Sequence, residues 1–379
     1  MVSFNPLDAD DRVSLERVAL FLTDVVIKVW QLDVASAPRL VWLLTNSFLA
    51  LSDLGLTLLD LPRFLLDTGF RNEVLPKLQH DGVRAYFTQE FPKRDGAIHQ
   101  WAAPVLNKIA GLIFDSDLKL MLAGRATFNF RDVLDRKRVV LAHLPKGIIG
   151  ERPSALLGAF VVAQIQKAAL SRTDSRWRPE HYLYLDEFQN YTTDNIQDIL
   201  SESRKYNLSL TLAHQYLDQL STELKSAVLS TTGTLCCFRV GYGDAYQLAK
   251  DIFPSSDFLT EIKTTLRVRR VSRVPFPWPI EQEHALGWEG LAQVLSGQPA
   301  RQFWMRRREL ERPTKLRTLD VPDLTVTDEL KARVRALRDV SGERYGRRKS
   351  EAAKEVSGRY QAFDGNNKGT GPNIPLWGG

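Results

Sequence analysis

The sequence predicts an α/β chain: a parallel sheet covered by helices, preceded by a mostly helical region and followed by a polar tail. Three observations carry this. His181-Tyr-Leu-Tyr-Leu-Asp186-Glu187 is a short apolar run that stops abruptly at two adjacent carboxylates, the pattern of a buried parallel strand and the loop past its carboxyl end. Leu208-Ser-Leu-Thr-Leu-Ala213 repeats the pattern after a helix-length spacer and stops at His214-Gln215. Strand, helix and strand of this length close one right-handed unit with parallel strands, so both polar ends emerge on one edge. Finally, apolar runs alternate with helical patterns from Arg138 to Phe253, as they do in a parallel sheet covered on both faces.

In chain order, Met1 leads straight into Val2-Ser-Phe-Asn5-Pro6-Leu7-Asp8, without the charged and apolar regions of a secretory leader. Residues 12–130 read as helices near Val13 to Trp30, Pro38 to Leu51, Leu61 to Leu66, Val83 to Glu90 and Trp101 to Phe114, separated by polar loops such as Pro92-Lys-Arg-Asp-Gly96. The most apolar stretch, Leu40 to Leu61, is interrupted by Thr45, Asn46, Ser52, Asp53 and Asp60. It therefore reads as a buried helix pair, because a membrane span needs about twenty residues with few or no charges.

The alternating region, residues 131–325, begins with a strand Val139 to Leu144 and a helix Ser154 to Ser171. Arg172 to Pro179 reads as an exposed loop into the carboxylate-ended strand. Asp194 is an N-cap for a helix carrying Ile196, Ile199 and Leu200 that stops at Asn207, a residue tolerant of the left-handed conformation. Beyond Gln215 come a helix with Leu217, Leu220, Leu224 and Val228, a strand Thr234 to Val240, and a turn at Gly241-Tyr-Gly243. Asp244 then caps a helix from Ala245 to Phe253. Lys263 to Arg273 alternates like an edge strand, Pro275 to Pro279 is a stiff break, Gly287 to Leu295 a short helix and Gln302 to Arg306 a closing strand. Residues 326–379 form a basic tail, predicted disordered beyond Ser341.

A chain of 379 residues, 44% hydrophobic, buries a large core and fits two domains plus a tail. The net charge of +6 is local. Lys331 to Gly379 holds eleven Lys/Arg and five Asp/Glu, which leaves 40 of each sign elsewhere (51 − 11 and 45 − 5), so the core is neutral. A cationic tail can hold a phosphate backbone nonspecifically, or simply be solvated. The only cysteines, Cys236 and Cys237, are adjacent in an apolar strand pattern and read as core residues of a reducing compartment; none of the six histidines has metal-ligand spacing with them.

Asp186-Glu187 at a strand end is the arrangement of a Walker B element, in which the first carboxylate holds Mg²⁺ and the second polarises the attacking water of an NTPase. Alone, the pair is a weak signal and reads more readily as an ordinary acidic turn. Gln215 at the matched end adds a neutral amide that can hydrogen-bond a γ-phosphate or the water without competing for the metal. Arg204 and Lys205 lie at the end of the intervening helix, where a cation also satisfies the helix dipole; the planar fork of arginine suits a transferring phosphate better. Arg239 near its strand end could reach a nucleotide or pair with a carboxylate. A phosphate-gripping Gly-x4-Gly-Lys-Ser/Thr loop is missing: Gly147 and Gly150 follow Lys146, the wrong order, Gly346-Arg-Arg-Lys349-Ser350 lacks glycine before lysine, and Gly365 to Gly371 follows no strand.

Leu-Tyr-Leu-Asp186-Glu187-Phe-Gln-Asn190, Leu200-Ser-Glu-Ser-Arg204-Lys-Tyr-Asn207-Leu-Ser-Leu and Ala213-His-Gln215-Tyr-Leu together resemble the motor core of the HerA–FtsK ATPases, most of all the type IV secretion and conjugation coupling proteins (TraD/TraG-like). The match covers roughly residues 130 to 255 well and the tail not at all. The resemblance implies a RecA-like P-loop NTPase core, with residues 1–11 the start of the motor and residues 12–130 an all-helical inserted domain. It implies ATP and Mg²⁺ as ligands, Asp186 as the Mg²⁺-linked aspartate, Glu187 as the catalytic glutamate, Gln215 as the sensor and Arg204 as a finger reaching a neighbouring subunit. The partners implied are DNA, further copies in a ring, commonly a hexamer, and relaxase or secretion machinery. The location implied is the cytoplasm or the inner face of the membrane. Two other readings stand beside the translocase: a HerA-like motor working with a nuclease, and a degenerate scaffold subunit that cannot grip ATP.

Overall fold

The structure, a computed structural model, describes residues 2–8, 14–123, 126–174, 176–191, 199–200, 203–253, 287–310, 312–320 and 327–364. It is a mixed α/β chain containing parallel strands. The helical region comprises α1 (Leu15–Val29), α2 (Pro38–Asp53), α3 (Leu61–Leu66), α4 (Thr68–Val74), α5 (Asp81–Ala85), α6 (Asp95–Phe114), α7 (Ser116–Ala123) and α8 (Phe130–Asp135). Ser14 caps α1 through its side chain, and Pro38 sits in the first turn of α2, where a missing N–H costs nothing. The predicted helix at Val83 to Glu90 is split, because α5 passes into a π-turn at Tyr86–Glu90.

One hydrophobic core joins this region to the start of the α/β part. It runs from Phe4 and Leu7 through α1 to α8 into the long helix α10 (Glu151–Leu170), and ends at Leu208. The amino-terminal segment is threaded into it. Gln164 donates to the carbonyl of Pro6 at 2.7 Å, Ser52 to that of Leu7 at 2.6 Å, and the rings of Phe4 and Phe130 meet edge to face. Helix α10, continued to Thr173, is the one described helix long and apolar enough to cross a membrane; 78% of its most apolar window is buried against the rest of the chain.

Two strands, β1 (His181–Leu185) and β2 (Leu208–Leu212), pair in parallel, with Tyr182 opposite Ser209 and Tyr184 opposite Thr211. The predicted four-stranded parallel sheet is narrower than the alternation implied. Val139 to Leu144 forms no ladder with any described strand: it is largely exposed, with Leu141 91% accessible, and lines with β1 a cavity of about 770 Å³. That cavity is lined by Val139, Leu141, Leu144, Tyr182 and Tyr184, which matches a strand pattern whose neighbour is not in hydrogen-bonding contact. The short helix α9 (Lys146–Ile149) then leads into α10. The strand predicted over Thr234 to Val240 is shorter, β3 (Thr234–Cys237). It joins a separate antiparallel sheet, β3-β4-β5, with β4 (Gln302–Arg307), the predicted closing strand, and β5 (Thr314–Arg317), which lacks an apolar signature. A second core, holding Cys237, Trp304, Phe253 and Leu291, packs this sheet on α12 (Tyr242–Ile252) and α13 (Trp288–Ser296). Between the two sheets in sequence, α11 (Thr222–Thr231) covers the parallel pair through Leu224 and Val228. The leading part of its predicted helix is a separate turn at Leu217–Gln219, because Ser221 caps α11 by accepting from the Leu224 amide.

Other expectations are corrected. Of the described residues beyond Ser341, most are helical: α14 (Asp328–Tyr345) is capped by Thr327 with two acids in its first turn, and α15 (Lys349–Asp364) buries Ala352 and Val356 against Leu59 and Leu120. Strong helix formers outweigh the high charge there. Arg172 is not in an exposed loop. It is fully buried, bonded to Asp135 at 2.9 Å and to the carbonyls of Pro179 at 3.1 Å and Tyr206 at 2.9 Å, and so ties the starts of β1 and β2 to α8. Cys236 is exposed while Cys237 is buried, since alternate strand residues face opposite sides. The helix predicted from Asp194, the alternation Lys263 to Arg273 and the Pro275 to Pro279 break lie wholly or mostly outside the described residues.

Candidate functional site

The register of β1 on β2 builds the site. The ladder continues past both strand ends: the Ala213 amide donates to Leu185 O at 3.0 Å and the Phe188 amide to Ala213 O at 3.0 Å. The two polar ends are thereby locked side by side. Gln215 Nε2 donates to Glu187 Oε1 at 2.6 Å, and Gln189 Nε2 donates to Glu187 Oε2 at 2.7 Å. Both carboxylate oxygens of Glu187 thus accept an amide hydrogen. These bonds, first Gln189 and then Gln215, hold its carboxyl below the usual carboxylate value, with the field of Lys146 and then that of His214 acting in the same direction. Glu187 is ionised at neutral pH.

Its backbone is unusual. Glu187 has φ 52° and ψ 46°, the left-handed region that a residue with a Cβ enters at a cost. The turn is held there by its own bonds: the Asn190 amide and Asn190 Nδ2 both donate to Glu187 O at 3.0 Å. Asp186, just before it, is exposed and lines the cavity beside β1. Phe188 is fully buried and packs edge to face on His214 with centroids 5.4 Å apart. Burial holds the His214 imidazole below its ordinary pKa, opposed by Asp244 and then Glu187.

The structure brings Glu187 and Gln215 into contact, with Asp186 next to Glu187 in the chain, and places the two predicted arginines off the strands. Arg204 is exposed in the turn Ser203–Tyr206, before β2 begins. It stands at the opposite end of the strands from Glu187, about 17 Å away at roughly 3.3 Å per strand residue. Arg239 is exposed in the loop after β3, which ends at Cys237, and so is not on a strand at all. Asp244 does not cap its helix. α12 starts earlier, from Gly241, and the Asp244 carboxylate instead accepts the Leu217 amide at 3.1 Å. Gln189, Lys146 and Asp244 are the contributors that sequence reasoning missed. Gln189 had a usable signal, since it lies two residues beyond Glu187; the other two are brought in from distant parts of the chain.

Among the described residues no group of three or more His, Cys, Asp or Glu is placed to hold a metal ion. A dedicated cage would need one. A Mg²⁺ carried by a nucleotide needs only one or two carboxylates besides phosphate and water, which exposed Asp186 fits.

No protein-family model matches the sequence, and no curated protein matches it. Solved structures are similar at low identity. The bacterial conjugative coupling protein TrwBdeltaN70, in a trigonal form with sulphate, is 12% identical over 84% of this chain and 71% of that one, with a TM-score of 0.47. The plasmid coupling protein TrwB with the non-hydrolysable GTP analogue GDPNP gives 12%, 84%, 71% and 0.48, and with the ATP analogue ADPNP 12%, 84%, 70% and 0.46.

Proposed function

We propose that this chain carries the hydrolytic edge of a nucleotide-driven DNA translocase of the conjugative coupling-protein kind. The carrying observation is the 2.6 Å bond from Gln215 to Glu187, directly beside Asp186, at the matched ends of two parallel strands. In open α/β sheets such ends are where ligands bind. In this reading Asp186 would hold Mg²⁺, which when bound neutralises charge on the phosphates of ATP. Ionised Glu187 accepts a hydrogen bond from the attacking water and orients it, and Gln215 reports whether the γ-phosphate is present by exchanging its bond to Glu187 for one to phosphate. Arg204, remote from its own chain's site, acts on the site of a neighbour in a ring, a hexamer by the sequence resemblance, and Arg239 is a candidate nucleotide contact. DNA is the cargo, relaxase or secretion machinery the partner, and the helices of residues 12–130 are an inserted domain that meets them, in the cytoplasm or at the inner face of the membrane.

A second reading, a non-hydrolysing scaffold subunit, is favoured by one observation: the sequence contains no Gly-x4-Gly-Lys-Ser/Thr. One assay separates the two. Mg²⁺-ATP turnover and binding of a fluorescent ATP analogue are measured for the wild type and Glu187→Gln. The motor reading expects turnover to fall by about 100-fold or more with binding kept, the usual yield of a positioned base. Unchanged turnover in Glu187→Gln would sink it, and a wild type that neither binds the analogue nor turns over ATP supports the scaffold.

A further inference from the structure

The turn that presents Gln215 has no backbone ladder of its own beyond Ala213. Three consecutive amides are taken up by side chains instead: Gln219 Oε1 accepts from Gln215 at 3.3 Å and from Tyr216 at 3.1 Å, and Asp244 Oδ2 accepts from Leu217 at 3.1 Å. Gln219 is local, four residues away. Asp244 is not: it stands in the first turn of α12, a helix of the second core, which packs on the antiparallel sheet. Leu217 is itself buried in that second core, so its amide is fixed to the same unit as its side chain. The turn is therefore pinned at one end to the parallel pair and at the other to α12.

We propose that Asp244 is a positioning residue: by holding the Leu217 amide it fixes the turn in which Gln215 reaches Glu187, and it ties that contact to the unit built on α12 and β3-β4-β5. Its effect on turnover rests on the reading of Glu187 and Gln215 given above; the anchoring itself does not. A change in the Gln215 contact is then passed to α12 through two bonds, and a movement of α12 is passed back to Glu187. The influence of Asp244 on His214, the neighbour of Gln215, is consistent with this placement.

The test uses three versions of the full chain: wild type, Asp244→Ala, which removes the acceptor, and Asp244→Asn, which removes the charge but keeps an oxygen able to accept from Leu217. Amide hydrogen exchange across residues 213–220 and an NMR titration of the Glu187 carboxyl are read without nucleotide. Asp244→Ala is expected to lose protection at Leu217 and to let the Glu187 pKa rise towards its ordinary value, because the bond from Gln215 weakens. Asp244→Asn is expected to keep both near wild type. With Mg²⁺-ATP, Asp244→Ala should lower kcat by about tenfold with KM changed less than about twofold, as misplacement of a catalytic contact does, and Asp244→Asn should restore it. Should the alanine variant fail to fold, Asp244→Glu shifts the acceptor by one methylene and serves the same arm. An Asp244→Ala chain with Leu217 protected and Glu187 unshifted, or an Asp244→Asn chain as impaired as the alanine, overturns the proposal. Wild-type chain without turnover, or Glu187→Gln with full turnover, removes the reading of the site, and exchange and titration then decide the anchoring alone.

Discussion

Glu187 concentrates what is uncommon here at the scale of one residue: a left-handed backbone, a carboxylate with an amide on each oxygen, and a buried aromatic directly after it. Because its folded pKa is depressed, its charge contributes stability above the ordinary carboxylate value, and that contribution is lost as pH falls through the lowered one. The carboxylate is near water, so screening keeps the stability effect under about 1 kcal/mol. The consequence is therefore expected in turnover. The acidic limb that Glu187 sets in a pH–rate profile should lie below its ordinary carboxylate value; a limb moved above that value, and lost in Glu187→Gln, would contradict an ionised Glu187. The cysteine pair offers a second single-residue check. Burial pushes the Cys237 thiol up to about 12, while Cys236 is exposed on the other face of the strand. One thiol per chain should be titrated by a disulfide reagent at about pH 8 before unfolding, and two after it; two fast thiols would place Cys237 at the surface.

At the scale of elements, the features legible in the sequence were those that depend on short-range pattern. The carboxylate-ended strand, its partner with Gln215 and the left-handed Asn207 that precedes it, φ 52°, all come from periodicity and local chemistry. The features that stayed hidden were set by pairing across long separations. Val139 to Leu144 has the composition of a buried strand but finds no ladder, and β3 takes an antiparallel partner far along the chain, with Cys237 opposite Trp304. Nor did its local sequence mark Arg172 as buried, because its partners Asp135 and the carbonyls of Pro179 and Tyr206 converge only in three dimensions. Removing that guanidinium as Arg172→Met leaves two carbonyls without a donor, which should cost about 3 kcal/mol in a denaturant titration. Arg131 still faces Asp135, so the acid is not stranded, and a loss under about 1 kcal/mol would show the Arg172 bonds to be dispensable. Gly158 on α10 is the other structural necessity. A Cβ there would meet the Tyr191 ring at 2.3 Å and Leu144 at 2.9 Å, and Tyr191 closes the turn that begins at Glu187. Gly158→Ala is expected to destabilise the chain by about 1–3 kcal/mol through overpacking, despite the better helix propensity of alanine. A raised melting temperature would mean the ring has room to move.

For the whole molecule, the decisive geometric fact is that Arg204 and Glu187 occupy opposite ends of the same pair of strands. An arginine side chain cannot span about 17 Å, so Arg204 has no part in its own chain's site, whatever its role. A cation that acts on a phosphate from there must act on another chain's phosphate. That makes a sharp prediction for mixed assemblies. Glu187→Gln chains and Arg204→Ala chains should each be inactive alone, but mixing them creates interfaces that pair an intact Glu187 with an intact Arg204, and turnover should return to about a quarter of wild type if chains mix at random and each interface works independently. An Arg204→Lys partner should rescue less than wild type, since an ammonium lacks the planar fork that matches phosphate. Mixing that yields no more than the sum of the two separate chains, under conditions where labelled subunits are seen to exchange, would place Arg204 outside the chemistry and leave it as a cation satisfying the end of its turn.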